Sequence, residues 1–206
     1  MLLRDSERLR IFDTDTPGGG LSQWFSGISQ IVDITRTGDQ VKLFDTIINE
    51  PHYNYVIDLQ SSLLDKFFNI FHDIRFDEGA NEAGIGVAVF FLIDRSLATL
   101  SAARRVQERL RTSEFVIVRN DAVGDMLHIP AAAADYLNIR KDRDLVLPAL
   151  SLAAREFIEA PGFTFADFIA GETEGAPPEI RYELWNFLET IYNQRQPGQS
   201  GTTLLI

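Results

Sequence analysis

Leu9-Arg10-Ile11-Phe12-Asp13-Thr14-Asp15-Thr16-Pro17-Gly18-Gly19-Gly20 is the stretch on which the fold is decided. Leu9–Asp13 reads as a short strand, and the proline and glycines behind it call for a turn. Two acids therefore stand where a strand gives way to a glycine loop. Reading outward, Gln30–Thr35 alternates weakly, as a second short strand would. Gln40–Asn49 spaces Val41, Leu43, Phe44, Ile47 and Ile48 as a helix does, and Tyr53–Leu59 is a strand carrying Asp58 near its end. Ser62–Ile74 returns to helical spacing through Leu63, Leu64, Phe67, Phe68, Phe71 and Ile74. Phe76–Gly86, polar and glycine-containing, reads as a loop.

Val87–Ile93 is uninterruptedly apolar, the pattern of a strand buried on both faces of a parallel sheet. Ser96–Arg111 follows as a helix with Leu97, Leu100, Val106 and Leu110 inward. Glu114–Arg119 is a further strand and Leu145–Leu147 a last short one. Leu150–Ala160 and Thr164–Ala170 look helical. Pro177-Pro178 opens a final helix, Glu179–Gln194, with Ile180, Leu184, Phe187, Leu188 and Ile191 on one face. Strands alternating with helices predict an α/β domain, a mostly parallel sheet with helices on both faces. The expected organisation is a single domain over 1–196 and a flexible tail over 197–206.

Composition narrows the function classes. A chain of 206 residues, 45% hydrophobic with 15 Phe, has enough apolar material for one sizeable core. The formal charge is −11, and Lys42, Lys66 and Lys141 are its only lysines. Binding nucleic acid nonspecifically needs a positive surface, so direct DNA binding is not expected. Arg104, Arg105, Arg109 and Arg111 on one helix are read as a solvated face, with phosphate contact as the alternative. No cysteine is present, which excludes disulfides, thiolate zinc sites and cysteine nucleophiles. The longest apolar stretch falls far short of the ~20 residues a membrane span needs. No signal sequence is seen, so the expectation is a cytoplasmic protein without a membrane span.

In parallel sheets, functional groups gather at the carboxyl ends of strands. Asp13, Asp15, Asp58, Asp94 and Asn120 all fall at such ends. Asp13 and Asp15 are suited to hold a water or a metal, or simply to bond the Gly18–Gly20 turn. Asp58 is either a group supporting a metal or the cap of a helix starting near Ser61-Ser62. Asn120 is either a base-contacting amide or a turn former. Gly18-Gly19-Gly20 has the makings of an anion nest but lacks GxGxxG spacing and a nearby lysine, so a flexible turn is expected. His52, His72 and His128 lack the i, i+4 spacing of helical metal ligands, and Ser61 and Ser62 lack a nucleophile elbow. Tyr182, Trp185 and Tyr192 are read as partly exposed, either ordinary packing or a partner-binding face.

The order of these pieces resembles the ParA/MinD (CobQ/CobB/MinD/ParA) family of P-loop ATPases from Met1 to about Ile191. Ile11-Phe12-Asp13-Thr14-Asp15 is similar to that family's second-strand Asp-x-Asp, and the resemblance gives Asp15 the role of orienting the hydrolytic water. Tyr55-Val56-Ile57-Asp58 resembles its Walker-B-type strand, which implies Mg²⁺ support through water at Asp58. Phe90–Arg95 before Ser96 is similar to the next strand and its switch-like turn. Val116-Ile117-Val118-Arg119-Asn120 resembles the strand whose terminal Asn reads adenine. The departure is equally plain: no Gly precedes a Lys anywhere, and Met1–Arg8 resembles only the end of the helix after the missing loop.

The resemblance therefore implies a P-loop NTPase-like fold missing its first strand and phosphate loop, acting as a binding or regulatory module. The alternative is an N-terminally truncated ATP-hydrolysing ATPase of plasmid partition or mobilisation type, with Mg and ATP as cofactors only if a P-loop lies upstream. An interior strand position left empty is expected to be closed by its neighbours or filled by another chain, since unpaired backbone is costly. The expected partner is a protein, as a homodimer.

Overall fold

The computed structural model describes residues 8–15, 20–94, 96–123, 139 and 143–194, with the backbone of 202–205. Its strands are β1 (Leu9–Asp13), β2 (Ser29–Ile31), β3 (Asn54–Asp58), β4 (Ile85–Ile93), β5 (Glu114–Asn120), β6 (Arg143–Leu147) and β7 (Thr202–Leu205). They form one sheet in the order β2-β1-β3-β7-β4-β5-β6, and every pairing is parallel. The helices are α1 (Thr37–Asn49), α2 (Leu64–Asp73), α3 (Phe76–Glu82), α4 (Leu97–Gln107), α5 (Leu152–Ile158), α6 (Phe165–Ala170) and α7 (Pro178–Asn193). The α/β class and the parallel sheet follow the alternation in the sequence.

Handedness explains the layers. The crossovers through α1, through α2 and α3, and through α4 all step toward β6, whereas α5–α7 lie on the return from β6 to β7. Right-handed crossovers running in opposite directions put their helices on opposite faces. The first layer carries the main core: Leu43, Phe44 and Ile47 of α1, Phe67, Phe68 and Phe71 of α2, Phe76 and Ala80 of α3, against Phe12, Tyr55, Ile57, Val87, Val89 and Phe91 of the sheet. Its centre is a cluster of rings, with Phe44 stacked on Phe76 at 4.4 Å and tilted against Phe67 at 5.2 Å. The return layer has its own smaller core of Ala154, Phe168 and Leu184, joined by Ile180 and Leu188 of α7.

Four expectations need correction. Phe76–Glu82 is a helix, not a loop: Phe76 and Ala80 pack into the core and Asp77 is buried beside them. β4 is a strand buried on both faces only in part: on the second face Ala88 is buried and Phe90 half-buried but Leu92 is 58% exposed, while Val89, Phe91 and Ile93 face the core. Leu97 of α4 points outward at the first helical position, where Ser96 caps the helix by accepting from the Thr99 N–H at 3.1 Å. The segment expected as a loose tail supplies β7, an interior strand.

That last point also changes the outcome for the vacant position. Neither closure by neighbours nor a second chain is needed between β3 and β4, because the chain's own Thr202–Leu205 lies there. β7 pairs with β3 at Tyr55 and Val56, and with β4 from Ile85 to Ala88. Ile57 and Asp58 of β3 and Val89–Ile93 of β4 continue beyond Leu205. Among the described residues no strand lies between them there.

Candidate functional site

The connection after β1 steps outward to β2, and the one after β3 steps the other way, to β4. Loops that diverge from adjacent strands leave a crevice at the carboxyl ends, the usual place for a ligand in such sheets. Asp13 and Asp58 are register partners there. Thr14 ties the two strand ends together. Its N–H and hydroxyl both donate to the Asp58 carbonyl, at 3.0 and 2.9 Å, and its hydroxyl accepts from the Gln60 N–H at 3.0 Å.

Asp13 is fully buried. Its carboxylate accepts from the Ser22 N–H at 2.8 Å, the Ser22 hydroxyl at 2.6 Å and the Asp15 N–H at 3.0 Å, with the Gly20 N–H as a further donor. Burial alone raises a carboxyl pKa, but here these donors outweigh it and hold Asp13 below its ordinary value. Asp58 behaves oppositely. Burial first, then the charges of Asp13 and Asp15, push its pKa up, opposed by one hydrogen bond from the Leu21 N–H. Gly20 sits between the carboxylates: a Cβ there would meet Asp58 Oδ2 at 3.3 Å and Asp15 Oδ2 at 3.6 Å.

The chemistry of this arrangement is specific. Gly20, Leu21 and Ser22 present successive N–H groups, the donors of an anion nest. The anions they bind are the chain's own: Gly20 and Ser22 serve Asp13, and Leu21 serves Asp58. Asp15 is exposed above them. What remains open toward solvent is negative, suited to water or a cation and hostile to bare phosphate. Among the described residues, no three His, Cys, Asp or Glu side chains are placed to share a metal ion.

Thus Asp13, Asp15 and Asp58 come together, as their strand-end positions predict. The helix-cap reading of Asp58 does not hold, because the turn at Ser61–Leu63 follows Gln60 and has no side-chain cap. Asp94 and Asn120 stand apart. Asp94 accepts from the Ser96 N–H at 2.8 Å, and hydrogen bonds from Ser96 and Thr99 hold its pKa down. Asn120 Oδ1 accepts from the Ala122 N–H at 3.0 Å, as a turn-forming Asn does. Three strand spacings, about 14 Å, separate β5 from β3. Thr16–Gly19, Met1–Glu7 and His128 lie outside the described residues.

Sequence reading missed Ser22 and Thr14 as members of the site, whereas the bond from Gly20 to Asp13 is the one expected of a strand-end acid holding its glycine turn. The signal for Ser22 was weak: it lies nine residues past Asp13, and only the turn between brings them together. Of the four arginines, Arg104 is exposed to solvent and the other three are engaged within the chain. Arg105 pairs with Asp65 at 3.2 Å, Arg109 donates to Asn69 Oδ1 at 2.7 Å, and Arg111 reaches Glu78 at 3.5 Å. A groove of about 680 Å³ between α1 and the β1–β2 edge lies away from the carboxylates. Its cations are also engaged: Arg10 pairs with Glu50 at 2.6 Å and lies over the Tyr53 ring, and Lys42 pairs with Asp39 at 3.2 Å.

No protein-family model matches this chain, and no curated protein or solved structure matches it. No helix among the described residues is long and apolar enough to cross a membrane.

Proposed function

We propose that this chain is a ParA/MinD-like nucleotide-binding-fold protein without a working phosphate grip, and that it acts as a binding or regulatory module. The resemblance in strand order and strand-end acids supports the fold assignment, and the all-parallel sheet agrees with it. One observation carries the functional half: the N–H groups of Gly20–Ser22, the nearest thing to a phosphate cradle, already hold Asp13 and Asp58. Phosphoryl transfer depends on positioning and charge neutralisation, and this site offers neither to a triphosphate.

Isothermal titration of the chain with Mg-ATP and with Mg-ADP tests this. The expected result is no saturable heat at nucleotide concentrations up to about 1 mM, weaker than the micromolar binding a true phosphate loop gives. A micromolar dissociation constant overturns the proposal.

A second reading has its own support. The position between β3 and β4, beside Asp58, is where the resemblance would put a strand leading into a phosphate loop, and on this reading that strand takes the place held here by Thr202–Leu205. On that reading the chain is part of an ATPase, with Asp15 orienting water, Asp58 supporting Mg²⁺ through water, and Asn120 reading adenine. An in-frame Gly-Lys-Ser or Gly-Lys-Thr segment within about 50 codons upstream, restoring micromolar Mg-ATP binding when expressed with the chain, establishes it. An in-frame stop codon there excludes it.

A further inference from the structure

The last helix carries aromatic side chains on its outer face as well as apolar ones on the face that packs. Ile180, Leu184 and Leu188 of α7 face the small core with Ala154 and Phe168. On the outer face, Tyr182 is 71%, Trp185 43% and Tyr192 47% exposed. The spacing 182, 185, 189, 192 is a three-four-three repeat, so these positions form one continuous line along the helix. Trp185 is steadied by the Phe168 ring at 5.3 Å. Solvent-facing aromatics gathered on one helix face are a feature of interaction surfaces.

Charge says what kind of partner fits. Residues 150–194 carry two arginines (Arg155, Arg181) against eight acids (Glu156, Glu159, Asp167, Glu172, Glu174, Glu179, Glu183, Glu189), a net of −6 within a chain of −11. Glu179 and Glu189 share the outer face with Tyr182 and are exposed, as are Glu172 and Glu174 just before the helix. None of these four forms an ion pair among the described residues. A second copy would bring −6 against −6, and nucleic acid would be repelled outright.

We propose that the outer face of α7 docks a basic amphipathic segment of a partner protein. Its Lys or Arg side chains would lie over the Tyr182, Trp185 and Tyr192 rings and beside Glu179 and Glu189, while its aliphatic residues lie against the ring edges. Cations over Trp and Tyr faces are attracted by the ring quadrupole, and the flanking carboxylates add steering. α7 packs at the β6 edge, four strand spacings or about 19 Å from β3. The proposal therefore stands whether or not nucleotide binds.

The test uses the full chain carrying Trp24→Phe, so that Trp185 is the only indole, and a 14-residue amphipathic Lys/Leu helical peptide as probe. The expected result is a saturable change in Trp185 fluorescence at micromolar peptide. Tyr182→Ala should weaken binding about tenfold or more, roughly 1.4 kcal/mol. Glu179→Lys with Glu189→Lys should do at least as much. Asp73→Lys with Glu82→Lys changes the net charge equally at exposed positions on α2 and α3, and should leave affinity within about twofold, since distant sites act independently. Tyr182 is so exposed that its truncation should leave the fold intact, which circular dichroism of the variant checks. Equal weakening by the two charge reversals, no effect of Tyr182→Ala, or no saturable signal each overturns the proposal.

Discussion

Asp77 offers the sharpest test of how this fold is held together. Its side chain is buried, and one oxygen, Oδ2, accepts four hydrogen bonds: from the N–H groups of Arg111, Thr112 and Ser113 at 2.7, 2.8 and 3.2 Å, and from the Ser113 hydroxyl at 3.1 Å. It thus ties the first turn of α3 to the entry of β5, across more than thirty residues of sequence. Replacing it with Ala leaves three main-chain donors facing a void. Hydrogen bonds to a charged group contribute about 1.5–3 kcal/mol each, but bonds sharing one oxygen do not add and water enters the cavity. The expected loss for Asp77→Ala is therefore about 3–5 kcal/mol, a large part of the ~5–15 kcal/mol available to a domain. Asp77→Asn keeps one acceptor oxygen but no charge, and should lose about half as much. The pH dependence has a definite sign. Burial raises the Asp77 pKa, yet the hydrogen bonds from Thr112, Arg111 and Ser113 more than reverse this and hold it below its ordinary value. Its contribution is present above the unfolded-state pKa and is lost as pH falls through the folded one. Urea denaturation of wild type, Asp77→Ala and Asp77→Asn from pH 7 downward measures all of this. Losses below about 1 kcal/mol for Asp77→Ala, or an acid limb unchanged in Asp77→Asn, would refute the reasoning.

Two further outcomes follow from the sheet. Deleting Thr202–Ile206 removes an interior strand and bares the facing edges of β3 and β4, so the truncated chain should self-associate in size-exclusion chromatography and melt at lower temperature; an unchanged monomeric profile and melting point would show that β7 is dispensable. Asp58→Asn should stabilise the fold at pH 7, because burial and the neighbouring acids make the charged form costly; since the folded pKa is raised, the gain disappears as pH falls through it and the wild-type carboxyl protonates, and thermal melts across that range that show no such convergence count against the cluster.

Legibility in the sequence followed periodicity. Val87–Ile93 and Glu114–Arg119 announce parallel strands because inward positions had to be apolar, and α1, α2 and α7 announce themselves through one-sided apolar spacing. α3 was hidden because only Phe76 and Ala80 of its seven residues are apolar and buried, and its main anchor, Asp77, looks like a loop residue. β7 was hidden for a different reason. Four residues after a Gly- and Pro-containing stretch carry no local signal for an interior position; that position is set by the unpaired edges of β3 and β4, which are made far upstream. In the site, the strand-end acids were legible because chain direction alone places them. The capture of Asp13 by Ser22 was not, since it depends on the path of the intervening turn.

That capture sets a magnitude for the nucleotide question. A phosphate arriving at Gly20–Ser22 must displace the Asp13 carboxylate from its donors. Asp13 has no solvent to turn to, being fully buried, and Asp58 and Asp15 stand close by. Stripping a buried charge of its partners costs about 3–5 kcal/mol, and each 1.4 kcal/mol is a factor of ten in affinity. Even a loop otherwise built for micromolar binding would be held near the millimolar range by this competition alone. The substitution Asp13→Asn lowers that barrier, since a neutral amide competes poorly for N–H donors. If the carboxylate is the obstacle, Asp13→Asn chain should bind inorganic phosphate or Mg-ADP more tightly than wild type in the titration that tests the parent. If it binds no better, the occupied nest is not what keeps phosphate out, and the missing cations are the larger deficit.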